Sequence, residues 1–536
     1  MSPAKYQFDE DGHEFVELPG GGRGYVHRRE LDDEDADVLP PPTAPMAVAR
    51  VVTHHHHTDR AGALLQRWWR GSFYRHTGGR WLEVEDKTVR SALYRRLEHA
   101  MYEEITKAGR QAKPWDPNRY KVSDLTDALA AVMHTDEHLT PPAWLERHDG
   151  DPPAGELVAV ANGLLHVPTR RLLSHTPRLW NHTAVPFGYE PDAPEPATWL
   201  EFLDELWADD ADAIEALQEW FGYVVSGDTS HQKIMFIVGP MRSGKGTIAR
   251  VLTALVGRPN VTGPTLGQLG QNFGLQDLIG KQLAVISDAR VAGNASVIVE
   301  RLLSISGEDT ITIDRKYRDP WTGQLRSRLM VISNELPNFG DASGAIVSRL
   351  VTLTLRQSWL GQEDHTLTTR LLDELPGILN WALEGLDRLR QQDHFTEPAS
   401  SRDAITALHD LVSPVSAFVR DCCATAPANE IPVDVLYQAW KSWCMEQGGK
   451  ASSAASFGKE LRAAVPGVRK RRPRAEDGDR IYRYVGICLN PQWASPRTNQ
   501  DHVDNGESVH DGPRSEPLLS AEALVLDAFE GAEVVG

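Results

Sequence analysis

The stretch HQKIMFIVGPMRSGKGTIARVLTALVG, from His231 to Gly257, constrains the fold of this chain more than any other. KIMFIV has the pattern of a buried strand, Gly239 and Gly244 bracket four residues, and Lys245 precedes an apolar-faced run predicted to be helical from near Gly246. Strand, glycine loop and helix in that order turn backbone N–H groups and the positive end of a helix dipole toward one anion. Lys245 then reaches toward the β and γ groups of a polyphosphate. The candidate phosphate-holding residues are Gly239, Pro240, Met241, Arg242, Ser243, Gly244, Lys245, Gly246 and Thr247.

One position departs from the usual G-x-x-x-x-G-K-[ST] spacing. Gly246 follows the lysine, so the hydroxyl expected to meet magnesium is displaced to Thr247. Thr247 either binds a phosphate oxygen or shifts to reach the metal or its water. The GKGT ending also occurs in adenylate-kinase-like enzymes, which keeps a small-molecule phosphotransferase as a rival reading.

Further along, KQLAVISDAR gives a second apolar strand closed by Asp288, the place where such sites keep the acid that binds magnesium directly or through water. RLMVISN gives a third strand ending in Asn334, which either positions a water or caps the turn NELP. A fourth strand starts at Arg349. Between these lies SGEDTITIDRKYRDPWTG, a polar-tipped hairpin with Arg315 and Lys316 near its tip. Its cations sit among Asp309, Asp314 and Asp319, so the hairpin either grips a polyanion or is internally paired.

The succession GPMRSGKGT, VISDAR, SGEDTITIDRKY, MVISNELP and SRL resembles the superfamily 3 helicase domain of phage and plasmid primase-helicase proteins, with the poxvirus-type primase-helicase as a distant relative. The likeness covers roughly residues 155 to 395. It implies a P-loop, AAA+-like α/β core that uses ATP and Mg2+. It implies Lys245, Asp288, Asn334 and Arg349 as catalytic residues, Thr247 and Asp288 on the metal side, and Asn334 as sensor of the γ-phosphate or attacking water. Arg349 would be an arginine finger offered to a neighbouring subunit, with Arg356 in reserve. Arg315 and Lys316 would project into a central channel and grip single-stranded DNA. A homo-hexamer, forked DNA as substrate, 3′ to 5′ travel and a separate primase partner follow from the resemblance alone.

Around this core the predicted organisation is an acidic flexible arm (1–58), an N-terminal α/β adaptor (59–203), the ATPase domain (204–395), a winged-helix-like unit (400–490) and an acidic tail (491–536). In the fourth unit the order helix, helix, basic turn, strand places VRKRRPR where a winged helix has its wing, so Arg469, Lys470, Arg471 and Arg472 are candidate DNA-backbone contacts. The net charge of −19 argues against nucleic-acid binding by the whole surface and leaves such binding to local basic patches. The run His54 to His57 lacks metal-ligand spacing and reads as a solvated loop, and the four cysteines contain no C-x-x-C pair. No apolar run is long enough to span a bilayer, and MSPAKYQFDEDGHEF does not read as a secretory signal, so a cytoplasmic protein is expected, in the host cytoplasm if phage-encoded. The expected activity is ATP-dependent unwinding of DNA in replication. An ATP-switched origin-binding protein without helicase activity is the alternative.

Overall fold

The computed structural model describes residues 38–107, 109–287, 295–316, 318–337, 345–448, 450–472 and 481–494, with the strand segments Gln7–Phe8, Glu14–Glu17 and Arg23–Tyr25. It is a mixed α/β structure built around a parallel sheet. Asp288 lies outside the described residues, as do much of the first 37 residues of the acidic arm and nearly all of the expected tail.

The N-terminal unit opens with α1 (Pro45–His56), inside the segment expected to be a flexible arm. Val48, Ala49 and Val52 recur at helical spacing and pack with Val122, Leu125 and Leu129 of α3 (Arg119–Val132), which is what orders the segment. The histidine run, expected as a loop, forms the last turn of α1, and the His57 carbonyl accepts the Leu65 N–H at 2.7 Å. An antiparallel sheet of β1 (Gln66–Trp69), β2 (Ser72–Thr77) and β3 (Arg80–Val84) follows, packed beside α2 (Asp86–Leu97). A second small sheet, β4 (Leu157–Val160), β5 (Gly163–His166) and β6 (Arg171–Leu173), leads to the helices α4 (Ala197–Leu206) and α5 (Ala211–Ser226).

The central sheet contains β7 (Ile234–Val238), β8 (Val261–Thr262), β9 (Leu283–Ile286), β12 (Arg328–Ser333) and β13 (Leu350–Thr354). Its order is β8-β9-β12-β7-β13, with every pairing parallel. Met235 and Ile237 of β7 join one hydrophobic core, while Ile234, Phe236 and Val238 join the other, so the strand is covered on both faces. α6 (Lys245–Val256) and α8 (Leu375–Gln392) pack on the first face with α5, and α7 (Ala295–Ser306) on the second. The hairpin β10 (Thr310–Arg315) and β11 (Arg318–Gln324) connects α7 to β12.

The C-terminal unit has its own core. It is preceded by α9 (Arg402–Val412), whose Leu408 joins the second core of the central sheet, and its order is α10 (Pro414–Cys422), β14 (Cys423–Pro432), α11 (Val433–Glu446), α12 (Ala454–Ala464), β15 (Arg469–Arg471) and β16 (Arg483–Leu489), with β16 between β14 and β15.

Candidate nucleotide and nucleic-acid site

The loop after β7 is held from three sides. Gly239 is in direct contact with β13's extension: a Cβ there would lie 2.6 Å from the Leu355 carbonyl oxygen. Any side chain would push the loop off the sheet. Gly244 takes φ +91 and rests on Phe202 and Leu206 of α4, the nearer at 3.1 Å from a Cβ built there. The outer side, Met241 and Arg242, is tied to the segment after β13: Ser358 Oγ donates to the Met241 carbonyl at 2.7 Å and the Trp359 N–H to the Arg242 carbonyl at 3.0 Å. Arg242, at φ +60, pairs with Glu363 at 3.4 Å.

Lys245 is the first residue of α6, one position earlier than its sequence indicates, because Gly244 caps the helix. Its ammonium donates to the carbonyls of Gly239 (2.7 Å) and Pro240 (2.6 Å) and to Ser243 Oγ (3.1 Å). Burial lowers its pKa from the ordinary lysine value. The cation is therefore held inside the loop, at the start of a helix whose buried face, Ile248, Val251, Leu252 and Leu255, fixes its direction. This arrangement fits a polyphosphate: a glycine without room for a side chain, a left-handed turn, a buried ammonium and a helix start converge on one place.

The structure brings Asn334 to the same end of the sheet. It follows Ser333, which is in register with Val238, and the Gly239 N–H donates to the Ser333 carbonyl at 3.3 Å. Asn334 is exposed there. β9, which precedes Asp288, lies on the far side of β12. Among the described residues no cluster of three His, Cys, Asp or Glu side chains is placed to hold a metal.

Arg349 stands at the other end. It precedes Leu350, the partner of Ile234 at the start of β7, and its Nη1 donates to Gln232 Oε1 at 2.8 Å. Arg356 follows Leu355 and so lies at the loop end, exposed.

On the hairpin, Arg315 Nε donates to the Asp319 carbonyl at 2.8 Å, and the Lys316 N–H to Gln276 Oε1 at 2.8 Å, leaving the Lys316 side chain exposed at the tip. Arg318 pairs with Glu83 of β3 at 2.5 Å, while Arg70 donates to the Thr322 carbonyl at 3.1 Å and stands over the Trp321 ring. Arg315 is thus tied within the hairpin and Arg318 to a carboxylate outside it, while Lys316 lies at the exposed tip. Arg469, Lys470, Arg471 and Arg472 are all exposed. Lys470 Nζ lies 4.5 Å and the Arg472 guanidinium 4.8 Å from the centroid of the Tyr482 ring, so the two cations sit around one half-exposed aromatic. Sequence reading missed Tyr482 and Arg250; the second had a signal, an arginine three residues after Thr247 on the helix.

Residues 54–208 match a family model described as D5 N terminal like, and residues 413–493 one described as poxvirus D5 protein-like. The chain is similar to D5-like proteins. Both D5-type matches flank residues 237–349, which match a family of unknown function, DUF5906, and together they support a D5-like primase-helicase family. The DNA-binding protein RFX2 of Rattus norvegicus and that of Mus musculus are each 30% identical over 110 residues, 20% of this chain and 16% and 15% of theirs. The uncharacterized mitochondrial protein ymf21 of Marchantia polymorpha is 29% identical over 77 residues, 14% of this chain and 43% of that one. The chain therefore spans less than half of the curated relatives it matches. Among solved structures, the apo structure of the NrS-1 C terminal region (305-718) is 12% identical, with 79% of this chain and 96% of that one covered at a TM-score of 0.43. No described helix is long and apolar enough to cross a membrane.

Proposed function

We propose that this D5-like chain acts in DNA replication as an ATP-driven helicase of superfamily 3, working as a homo-hexameric ring of AAA+-like cores on single-stranded and forked DNA. The observation that carries the reading is the junction of β7 and α6, where the buried Lys245 ammonium is clamped on Gly239, Pro240 and Ser243 beside Asn334. The strand order supports it: numbered along the chain, the five strands lie 5-1-4-3-2, with the loop on a central strand.

In this reading the loop amides and Lys245 bind the polyphosphate, and Asn334 orients the attacking water. Mg2+, when bound near Thr247 and Asp288, supplies charge neutralisation at the β and γ groups. Arg349 completes the site of a neighbouring subunit, Lys316 with Arg315 grips the strand, and the C-terminal unit, read as a winged helix, tracks backbone phosphates with Arg469, Lys470, Arg471 and Arg472. The deciding experiment measures ATP hydrolysis with and without single-stranded DNA, using Lys245→Ala as blank. DNA-stimulated, lysine-dependent hydrolysis is expected; hydrolysis indifferent to DNA sinks the motor.

The pairing of Arg318 with Glu83 favours a second reading, an ATP-switched origin-binding protein, because it ties the hairpin to the N-terminal unit. That protein would retain duplex DNA in an ATP-dependent way and separate no strands.

A further inference from the structure

Gly246 stands where the usual loop carries a hydroxyl, and the structure fills the place from elsewhere. A Cβ built on Gly246 would lie 3.3 Å from Arg250 Nη1. The same guanidinium donates through Nη2 to Thr247 Oγ1 at 2.9 Å. Arg250 is exposed on the second turn of α6 and has no carboxylate partner among the described residues. It therefore reaches back toward the first turn and the positive end of its own helix dipole, a direction that is unfavourable for a cation by itself. An anion with several charges at the loop reverses that balance, since helix end, ammonium and guanidinium then converge on it.

We propose that Arg250 is a phosphate-contacting residue of this loop, a cation in the side-chain space that Gly246 leaves open, with Thr247 held by it to donate its hydroxyl proton to a phosphate oxygen. Thr247 Oγ1 accepts from Arg250, and the hydroxyl hydrogen remains to be donated. Part of the charge neutralisation left to metal in loops of the usual spacing is thereby built into the chain, and polyphosphate binding depends less on magnesium. The inference rests on the loop being a nucleotide site.

The test is equilibrium binding of a fluorescent ATP analogue to the full chain, with magnesium and with EDTA, for wild type, Arg250→Ala, Arg250→Lys, Gly246→Ser and Lys245→Ala. Wild type should bind in EDTA, and Arg250→Ala should lose about tenfold there, the scale of one charge-assisted hydrogen bond, with a smaller loss in magnesium. Arg250→Lys should recover part of the loss. Gly246→Ser, which crowds the guanidinium and offers the metal a hydroxyl, should widen the gap between magnesium and EDTA. Wild-type binding that is abolished in Lys245→Ala but unchanged in Arg250→Ala under both conditions overturns this inference alone. Absence of any binding by wild type overturns the nucleotide site with it.

Discussion

Arg349 and Lys245 stand at opposite ends of the central sheet. Arg349 precedes Leu350, which is in register with Ile234 at the start of β7, while Lys245 follows the loop that leaves Val238 at its end. Five residues of strand separate those ends by about 16 Å at the usual rise per residue. Arg349 is thus too far to stabilise charge at its own loop. If it acts in catalysis, it acts on another subunit's site, whereas Arg356 is the arginine at the loop end of the same chain.

Mixing experiments separate the two. Arg349→Ala and Lys245→Ala subunits should each be inactive alone, and mixed rings should recover hydrolysis at interfaces pairing an intact loop with an intact arginine. Demonstrably mixed rings without recovery would remove Arg349 from the site, and a larger loss in Arg356→Ala than in Arg349→Ala would put a finger in cis.

Gly239→Ala should break the loop from the backbone side. The added methyl meets the Leu355 carbonyl oxygen at 2.6 Å, and backbone can yield only by moving the loop or the end of β13. A loss of about 1–3 kcal/mol in urea unfolding is expected, as for overpacking elsewhere, together with loss of nucleotide binding. Gly155→Ala, with open space around its Cβ, is the silent control. Equal behaviour of the two variants would refute the close approach.

Acid should loosen the N-terminal unit before the carboxylates titrate. His57, His76 and His182 all have their pKa lowered to about 4, first by burial. In the unfolded chain each binds its proton near 6.5, so between pH 6.5 and 4 the unfolded state holds more protons and stability falls as pH falls. The slope is about 1.4 kcal/mol per pH unit for each histidine inside that window. Urea midpoints at pH 7.5 and 5 should differ, and His182→Asn should flatten the dependence. A midpoint flat over that range would mean that the three rings are hydrated in the native state.

The sequence-readable part of this fold was local. KIMFIV, the glycine bracket and the spacing of Ile248, Val251, Leu252 and Leu255 dictate strand, loop and helix without any distant partner, and the alternation from Thr310 to Gln324 dictates a hairpin. The strand order was not legible, because parallel neighbours such as β7 and β13 are joined through more than a hundred residues and pair by burial rather than by a turn. α1 was missed because acidic and proline-rich sequence around it hid the small apolar stripe of Val48, Ala49 and Val52, which only α3 makes useful. The role of Gly246 is equally tertiary, since nothing in GKGT tells where the Arg250 guanidinium lies.

The basic strand of the C-terminal unit gives the last prediction. Lys470 and Arg472 are exposed around the Tyr482 ring, which holds two flexible cations close together at one edge of the sheet β14-β16-β15. A prearranged pair costs less entropy to place on adjacent phosphates than two free side chains. Replacing both with alanine should weaken DNA binding similarly for different sequences and reduce the slope of log K against log salt by about 1.8 on duplex, the release of two counterions. Tyr482→Leu should lower affinity with little change in that slope, because it removes the surface that holds the cations and no charge. ATP hydrolysis without DNA should be unaffected in both variants. Measuring anisotropy of a labelled duplex across a salt series decides it: an unchanged slope in the double variant would mean that these cations stay in solvent when the protein is on DNA.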